Sequence, residues 1–499
     1  MTTPGPIEEN SVVIVFGASG DLAKKSTFPA LYTLWEEGLL PPKTQIIGYA
    51  RSDLSEERLN EQLFWKVQDD VKEGHCEADE GKMKEFRGIV RYVKGAYDQD
   101  DAFEALEQLI KTIEKDTFSG ATSNRIFYLA LPPSSFAQVS AMIKKHNYAS
   151  GQINRLVIEK PFGKDTDDCR GMMDSIGKDW REDEIWRIDH YLGEEMVREI
   201  YHLRFANSFV EPLLSNKYVE AVSVVMKETF GAEGRGGYFD EFGMIRDVGQ
   251  NHLLQAIAIM MMDAPTSLTD DSLRANKVRL LQAMPPVDTE DVVLGQYAAA
   301  EDGPKEDGTG KAYVDDETVP DGSKTATFAQ WAMRVDNERW KGVPVMVKCG
   351  KALDRGLMEM TFHLRQPEHN VYDMPQHSNS LVIRMNPEPA VFFKANLLKP
   401  GCRGEETVHE EIKWTVPGRK VAGDKLAYEV VLTNIFKGDQ SSFVREDEVI
   451  AAWEIFTPLL QHIEGPNGPT PTLYAYGSAG PEEQYAFEEK LGLASTKSS

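Results

Sequence analysis

The stretch that most restricts this chain is Val12-Val13-Ile14-Val15-Phe16, a continuous apolar run rich in β-branched residues and stopped by Gly17-Ala18-Ser19-Gly20-Asp21. A strand with no polar alternation is buried on both faces, which places it inside a parallel sheet covered by helices. After the glycines, Leu22, Phe28, Ala30, Leu31, Leu34 and Trp35 recur at helical spacing until Gly38. Strand, glycine turn and helix in that order make a Rossmann unit, whose turn can hold a pyrophosphate on backbone N–H groups. The candidate cofactor-binding residues are Gly17, Ala18, Ser19, Gly20, Asp21, Leu22, Ala23 and Lys24. The spacing is Gly-x-x-Gly, shorter than the full dinucleotide fingerprint, so a plain tight turn is the competing reading.

The next strand narrows the cofactor. Gln45-Ile46-Ile47-Gly48-Tyr49-Ala50 ends in Arg51, where NAD-specific folds carry an acid for the ribose hydroxyl. A guanidinium there pairs with a 2′-phosphate instead, which points to NADP. Helical segments near 101–115 and 136–145 alternate with strands at 125–131 and 155–158, so the winding is α/β. The last of these strands ends in Glu159-Lys160-Pro161-Phe162-Gly163. A lysine at the carboxyl end of a parallel strand faces the crevice where such sheets bind ligands, making Lys160 a candidate contact to cofactor and substrate.

A second cluster lies at Arg187-Ile188-Asp189-His190-Tyr191-Leu192-Gly193-Glu194-Glu195, where a carboxylate, an imidazole and a phenol follow one another as a strand pattern ends. Gly193 with Met196, Val197 and Ile200 predicts a turn into a helix. Beyond it strands dominate, at 219–225, 328–335, 343–348, 357–364, 381–385 and 428–432, and residues 298–324 form a long loop. Strands without regular helices between them predict a mainly antiparallel sheet. The expected organisation is therefore an N-terminal tail (1–10), a doubly wound Rossmann-like domain (11–177), a larger α+β domain (178–493) and a C-terminal tail (494–499).

Bulk properties exclude several partners. The 499 residues exceed what one core supports. A net charge of -25 argues against nonspecific binding to nucleic acid or anionic membrane. The longest apolar run, about 253–262, is far short of the roughly 20 residues that cross a bilayer. Cys76, Cys169, Cys349 and Cys402 have no paired spacing, which fits reduced thiols and a cytoplasmic location, and residues 1–10 lack the apolar core of a signal peptide.

Further blocks run from Gly234 to Gly243 and from Ile245 to Gln255. With GASGDLAKK at Gly17, EKPFG at Glu159, RIDHYLG at Arg187, CGKAL at Cys349 and IFTPLL at Ile455, the chain closely resembles the glucose-6-phosphate dehydrogenase family along nearly its whole length. The resemblance implies NADP-linked oxidation of C1 of glucose 6-phosphate to 6-phospho-D-glucono-1,5-lactone, the first step of the oxidative pentose phosphate pathway. It implies His252 as the general base and Asp189 as its carboxylate partner. Placed near the start of a helix, His252 would feel a dipole that disfavours the charged imidazole. By the same match Lys160 contacts both ligands, His190 and Tyr191 take the phosphate, Glu228 and Asp247 hold sugar hydroxyls, and Lys351 reaches the substrate from the second domain. The resemblance also implies a homodimer or homotetramer formed through the second sheet. Some relatives carry a second, structural NADP, and Lys227, Arg384 and Lys394 match its basic residues. Ala479 and Phe392 stand where those relatives have arginine and tyrosine, which argues against that site.

One departure concerns the substrate. The family's run is RIDHYLGKE, and Glu194 stands where its lysine meets the phosphate. His190 and Glu194, four residues apart, would point to one side if they shared a helical turn. Arg198 and Arg355 are the candidates to restore positive charge. Glu194 leaves two other readings open: a dehydrogenase with weakened preference for the phosphate, or a noncatalytic NADP-binding homologue.

Overall fold

A computed structural model describes residues 5–72, 79–268, 271–305, 308–369, 371, 378–414 and 424–493. Residues 1–4 of the expected N-terminal tail, Cys76 and the expected tail 494–499 lie outside them. The chain divides into two compact units, one comprising Met1–Glu195, Pro265–Ala275 and Ala422–Ile450, the other Met196–Ala264, Asn276–Val421 and Ala451–Ser499.

Among the described residues the first unit holds six strands: β1 (Ser11–Phe16), β2 (Gln45–Ala50), β3 (Val90–Lys94), β4 (Asn124–Leu129), β5 (Asn154–Glu159) and β6 (Ile185–Ile188). They lie in the order β3-β2-β1-β4-β5-β6, and every pairing is parallel. Every residue of β1, β2, β5 and β6 is buried, as runs without polar alternation require. The order reverses between β1 and β4, which opens a crevice at the carboxyl ends of the strands. β6 pairs with β5 through Ile185–Ile188 and so belongs to this sheet, beyond the boundary expected at residue 177.

One expected strand is a helix. Residues 428–432 lie within helix Asp424–Lys437, whose Tyr428, Val431, Leu432 and Ile435 join Phe28 and Leu31 in the core. The short apolar run Val430-Val431-Leu432 does not separate strand from helix by itself; the continuation to Ile435 at helical spacing decides it.

The second unit is built on nine strands: β7 (Val219–Lys227), β8 (Val292–Ala298), β9 (Phe328–Met333), β10 (Val345–Gly350), β11 (Leu357–Leu364), β12 (Ser380–Asn386), β13 (Ala390–Leu398), β14 (Thr407–Trp414) and β15 (Thr472–Ala475). Their order is β14-β13-β12-β11-β7-β10-β9-β8-β15. Pairing is antiparallel except between β7 and β10 and between β8 and β15. The expected mainly antiparallel sheet is present.

Against this sheet runs a long helical stretch. Helix Gly236–Met244 is interrupted at Gly243, whose φ of 63° and ψ of 172° are non-helical. A π-helical segment, Ile245–Leu253, follows and continues directly into helix Leu254–Met261. A side chain at Gly249 would put its Cβ 2.7 Å from the Trp331 indole of β9, so the missing side chain lets the π segment lie close on the strand. π turns within helices recur at functional sites. Among the described residues no helix is long and apolar enough to cross a membrane.

Candidate active site

In the first unit the turn after β1 is shaped by its glycine. Gly17 has a φ of +80°, and a Cβ there would come within 2.1 Å of the Ala130 carbonyl oxygen. The N–H groups of Gly17 and Ala18 both donate to the Tyr49 carbonyl of β2, at 2.9 and 3.2 Å, and Gly20 N–H closes the turn on the Gly17 carbonyl at 2.8 Å. Gly17 and Ala18 thus build the turn, and the helix begins just beyond Ser19 and Gly20, at Asp21 and Leu22. Ala23 is buried, and Lys24 Nζ lies 2.7 Å from Glu61 Oε1. The missing Cβ lets the turn close onto Ala130 at the end of β4, and the helix start beyond the turn offers the place for a pyrophosphate.

Arg51 follows β2, is exposed, and sets its guanidinium 5.5 Å from the centroid of the Tyr97 ring. Burial raises the pKa of the Tyr97 phenol, and the Arg51 charge and the nearby Gly17 backbone oppose that. Tyr97 therefore offers its ring to the arginine that follows β2. Sequence reading missed it because β3, which precedes it, carries no clear alternation.

At the end of β5, Glu159 is fully enclosed. Tyr128 of the neighbouring β4 donates to Glu159 Oε1 at 2.5 Å, and Tyr428 supplies a second hydrogen bond. Burial above all pushes this carboxyl up, Asp189 adds to the rise, and Tyr128, the Lys160 charge and Tyr428 hold it down, leaving it at about 7. Lys160 is half-buried and precedes a cis bond to Pro161. Because the folded-state pKa exceeds the ordinary value, the folded protein holds this proton in a window where the unfolded chain has lost it. Stability from that proton is full below the ordinary carboxylate pKa and is lost as pH rises toward 7. Glu159→Gln is accordingly expected to gain stability relative to the parent between pH 5 and pH 8, read as the difference in urea midpoints.

Asp189 is buried immediately after β6, and its Oδ1 accepts from the Tyr191 N–H at 3.1 Å, which starts the 3₁₀ turn His190–Gly193. The His190 ring stacks on Tyr428 with centroids 5.6 Å apart and planes 13° apart. A Cβ on Gly193 would come within 2.4 Å of the Ala427 carbonyl, so this glycine lets the turn press onto helix Asp424–Lys437. Glu194 is half-buried and extended, with φ −61° and ψ 138°. The chain has left the turn there, so His190 and Glu194 do not share one helical face as the four-residue spacing had suggested. Arg198 and Arg355 are both exposed.

In the second unit, strand register assembles a charged triad. β7 and β10 run parallel with Lys227 opposite Gly350, so the next residues, Glu228 and Lys351, leave the sheet side by side. Lys351 Nζ lies 2.5 Å from Glu228 Oε2 and 3.4 Å from Asp247 Oδ2. Burial disfavours the ammonium, but Glu228 and Asp247 outweigh it and hold the Lys351 pKa above its ordinary value. Asp247 comes from the π segment, where Asn251 Nδ2 bonds the Arg246 and Asp247 carbonyls at 3.1 Å each. His252 is buried on the same segment. It lies well inside continuous helix, not near a helix start, so the terminal dipole expected to act on it is too distant. Of the basic residues matching a second cofactor site, Lys227 is 3.0 Å from Asp354 and Arg384 is 2.8 Å from Glu359. Among the described residues Cys169, Cys349 and Cys402 are free thiols.

A glycine turn at the reversal point of a 3-2-1-4-5-6 parallel sheet, joined in one chain to a unit with a lysine–carboxylate triad and a buried histidine, defines a dinucleotide-dependent oxidoreductase. A family model described as "Glucose-6-phosphate dehydrogenase, NAD binding domain" matches residues 14–199, and one described as "Glucose-6-phosphate dehydrogenase, C-terminal domain" matches 201–494. The chain belongs to the glucose-6-phosphate dehydrogenase family. It is 45% identical to the glucose-6-phosphate 1-dehydrogenase of Saccharomyces cerevisiae over 97% of this chain and 95% of the relative. It is 41% identical to that of Schizosaccharomyces pombe over 97% of this chain and 95% of the relative. A solved glucose-6-phosphate dehydrogenase in complex with its substrate glucose-6-phosphate superposes with a TM-score of 0.90 at 41% identity, covering 100% of both chains.

Proposed function

We propose that this chain oxidises C1 of glucose 6-phosphate with NADP+ as acceptor, giving 6-phospho-D-glucono-1,5-lactone, the first step of the oxidative pentose phosphate pathway. The observation that carries this reading is the full-length likeness to a dehydrogenase solved with glucose-6-phosphate bound. It favours phosphorylated glucose over the two readings that Glu194 had left open.

Gly17 to Lys24 would hold the pyrophosphate and Arg51 the 2′-phosphate. The bound NADP+ supplies a hydride acceptor. His252 removes the proton of the C1 hydroxyl, which lets hydride leave C1. Asp189, the partner assigned by family resemblance, orients the imidazole and stabilises its charged form. Glu228 and Asp247 accept hydrogen bonds from sugar hydroxyls, and Lys351, already fixed by both carboxylates, donates to the substrate. Lys160 donates to substrate and cofactor, and His190 and Tyr191 to the phosphate.

The test follows reduced-cofactor absorbance with glucose 6-phosphate, in parallel with glucose and with NAD+. The expected result is turnover with the phosphorylated sugar and a lower kcat/KM with NAD+. Absence of turnover at saturating ligands would reject the reading. We also propose a cytoplasmic homodimer or homotetramer formed through the nine-stranded sheet, which light scattering checks.

A further inference from the structure

Two large aromatic side chains of the second unit remain exposed beside the triad: Phe230 at 58% and Tyr238 at 54%. An exposed ring of that size loses apolar hydration only when a ligand or partner covers it. Phe230 stands two residues beyond Glu228, and this short segment is fixed at both ends. Glu228 N–H donates to the Gly350 carbonyl at 2.9 Å, Leu353 N–H to the Glu228 carbonyl at 2.8 Å and Ala352 N–H to the Phe230 carbonyl at 2.8 Å. The Phe230 centroid lies 5.4 Å from Lys351 Nζ, the same ammonium that touches Glu228 and Asp247. Lys351 Nζ also lies 5.3 Å from the centroid of the buried Phe239 ring. Hydrogen-bonding groups and an exposed aromatic face therefore converge on one atom.

That combination matches the two surfaces of a pyranose. Its hydroxyls lie round the edge and suit Glu228, Asp247 and Lys351, whereas its ring C–H groups form an apolar face with nothing to bond. A rigid, exposed ring beside the polar triad covers that face at little conformational cost. Tyr238 lies within electrostatic reach of Asp247, since that charge contributes to raising its phenol pKa, and its ring is tilted against Phe242 at 5.0 Å.

We infer that Phe230 is a specificity residue of the sugar site, stacking on the apolar face of the pyranose. The inference rests on the sugar site proposed above. Because Glu194 replaces the lysine expected at the phosphate end, a larger share of substrate affinity falls on such ring contacts.

Phe230→Leu and Phe230→Ala test it, with Phe230→Tyr and Phe230→Trp as aromatic rescues. Loss of the ring is expected to lower kcat/KM for glucose 6-phosphate about five- to tenfold, mainly through KM, and to lower it for glucose by the same factor. The aromatic variants should stay near the parent, with the NADP+ KM and the melting temperature unchanged throughout. Equal factors for the two sugars identify a contact to the ring, since a contact to the phosphate affects only the ester. Parent-like kinetics in Phe230→Leu, or a change confined to the NADP+ KM, would overturn the assignment. Inactivity of the parent enzyme would instead remove the proposed reaction itself, so the two failures are distinct.

Discussion

Replacing His252 by asparagine is expected to lower kcat with glucose 6-phosphate by about 10²- to 10⁴-fold while leaving both KM values near those of the parent, because general-base catalysis supplies a factor of that order. Asparagine keeps the polar character of a buried position, and the contacts proposed for the substrate come from other residues. Steady-state kinetics with each substrate varied separately resolves the two parameters. An unchanged kcat would reject His252 as the base. The helical surroundings sharpen the expectation: with the terminal dipole too far to matter, Asp189 becomes the main candidate to set the ring's orientation. Asp189→Asn should therefore follow the same pattern, a fall in kcat with KM retained.

The second large effect is expected from Glu194→Lys. A unit charge about 5 Å from a phosphate is worth roughly 3 kcal/mol at an effective dielectric near 20, before solvent screening. Glu194 is half-buried, so screening removes part of this. Reversing the sign is expected to lower the KM for glucose 6-phosphate at least about tenfold, which corresponds to about 1.4 kcal/mol. The NADP+ KM and the kinetics with unphosphorylated glucose should not change. An unchanged KM for the phosphate ester would show that the extended backbone at Glu194 carries its side chain away from the phosphate. The residue would then be a tolerated surface exchange.

How much of this was readable in the sequence depended on how each residue is held. The β1 run and its glycines forecast a buried parallel strand and a tight turn because both faces of β1 are covered. Lys160 and Asp189 were legible as strand-end residues for the same reason. β14 was not, since most of its residues are exposed and no alternation marks a buried face. Helix Asp424–Lys437 was misread because the run Val430-Val431-Leu432 is short, apolar and mostly β-branched, and only the continuation at helical spacing to the buried Ile435 distinguishes it from a strand. The triad was legible only through family resemblance. Glu228, Asp247 and Lys351 are far apart in the chain, and strand register, which no local pattern encodes, is what assembles two of them. Phe230 and Tyr97 escaped because a lone aromatic carries no signal until its exposure or its neighbour is known.

The parallel pairing of β7 and β10 has a consequence for how this protein tolerates change. In an antiparallel pair, residues just past the carboxyl ends leave from opposite ends of the strands. Glu228 and Lys351 meet only because these two strands run the same way, with Lys227 level with Gly350. A one-residue deletion inside either strand would slide the pair by one step and turn every side chain on one side of the deletion to the other face. The sheet thus measures out the distance between two charges, and its strands are less free to change length than residues 299–305 and 308–324, which lie outside them.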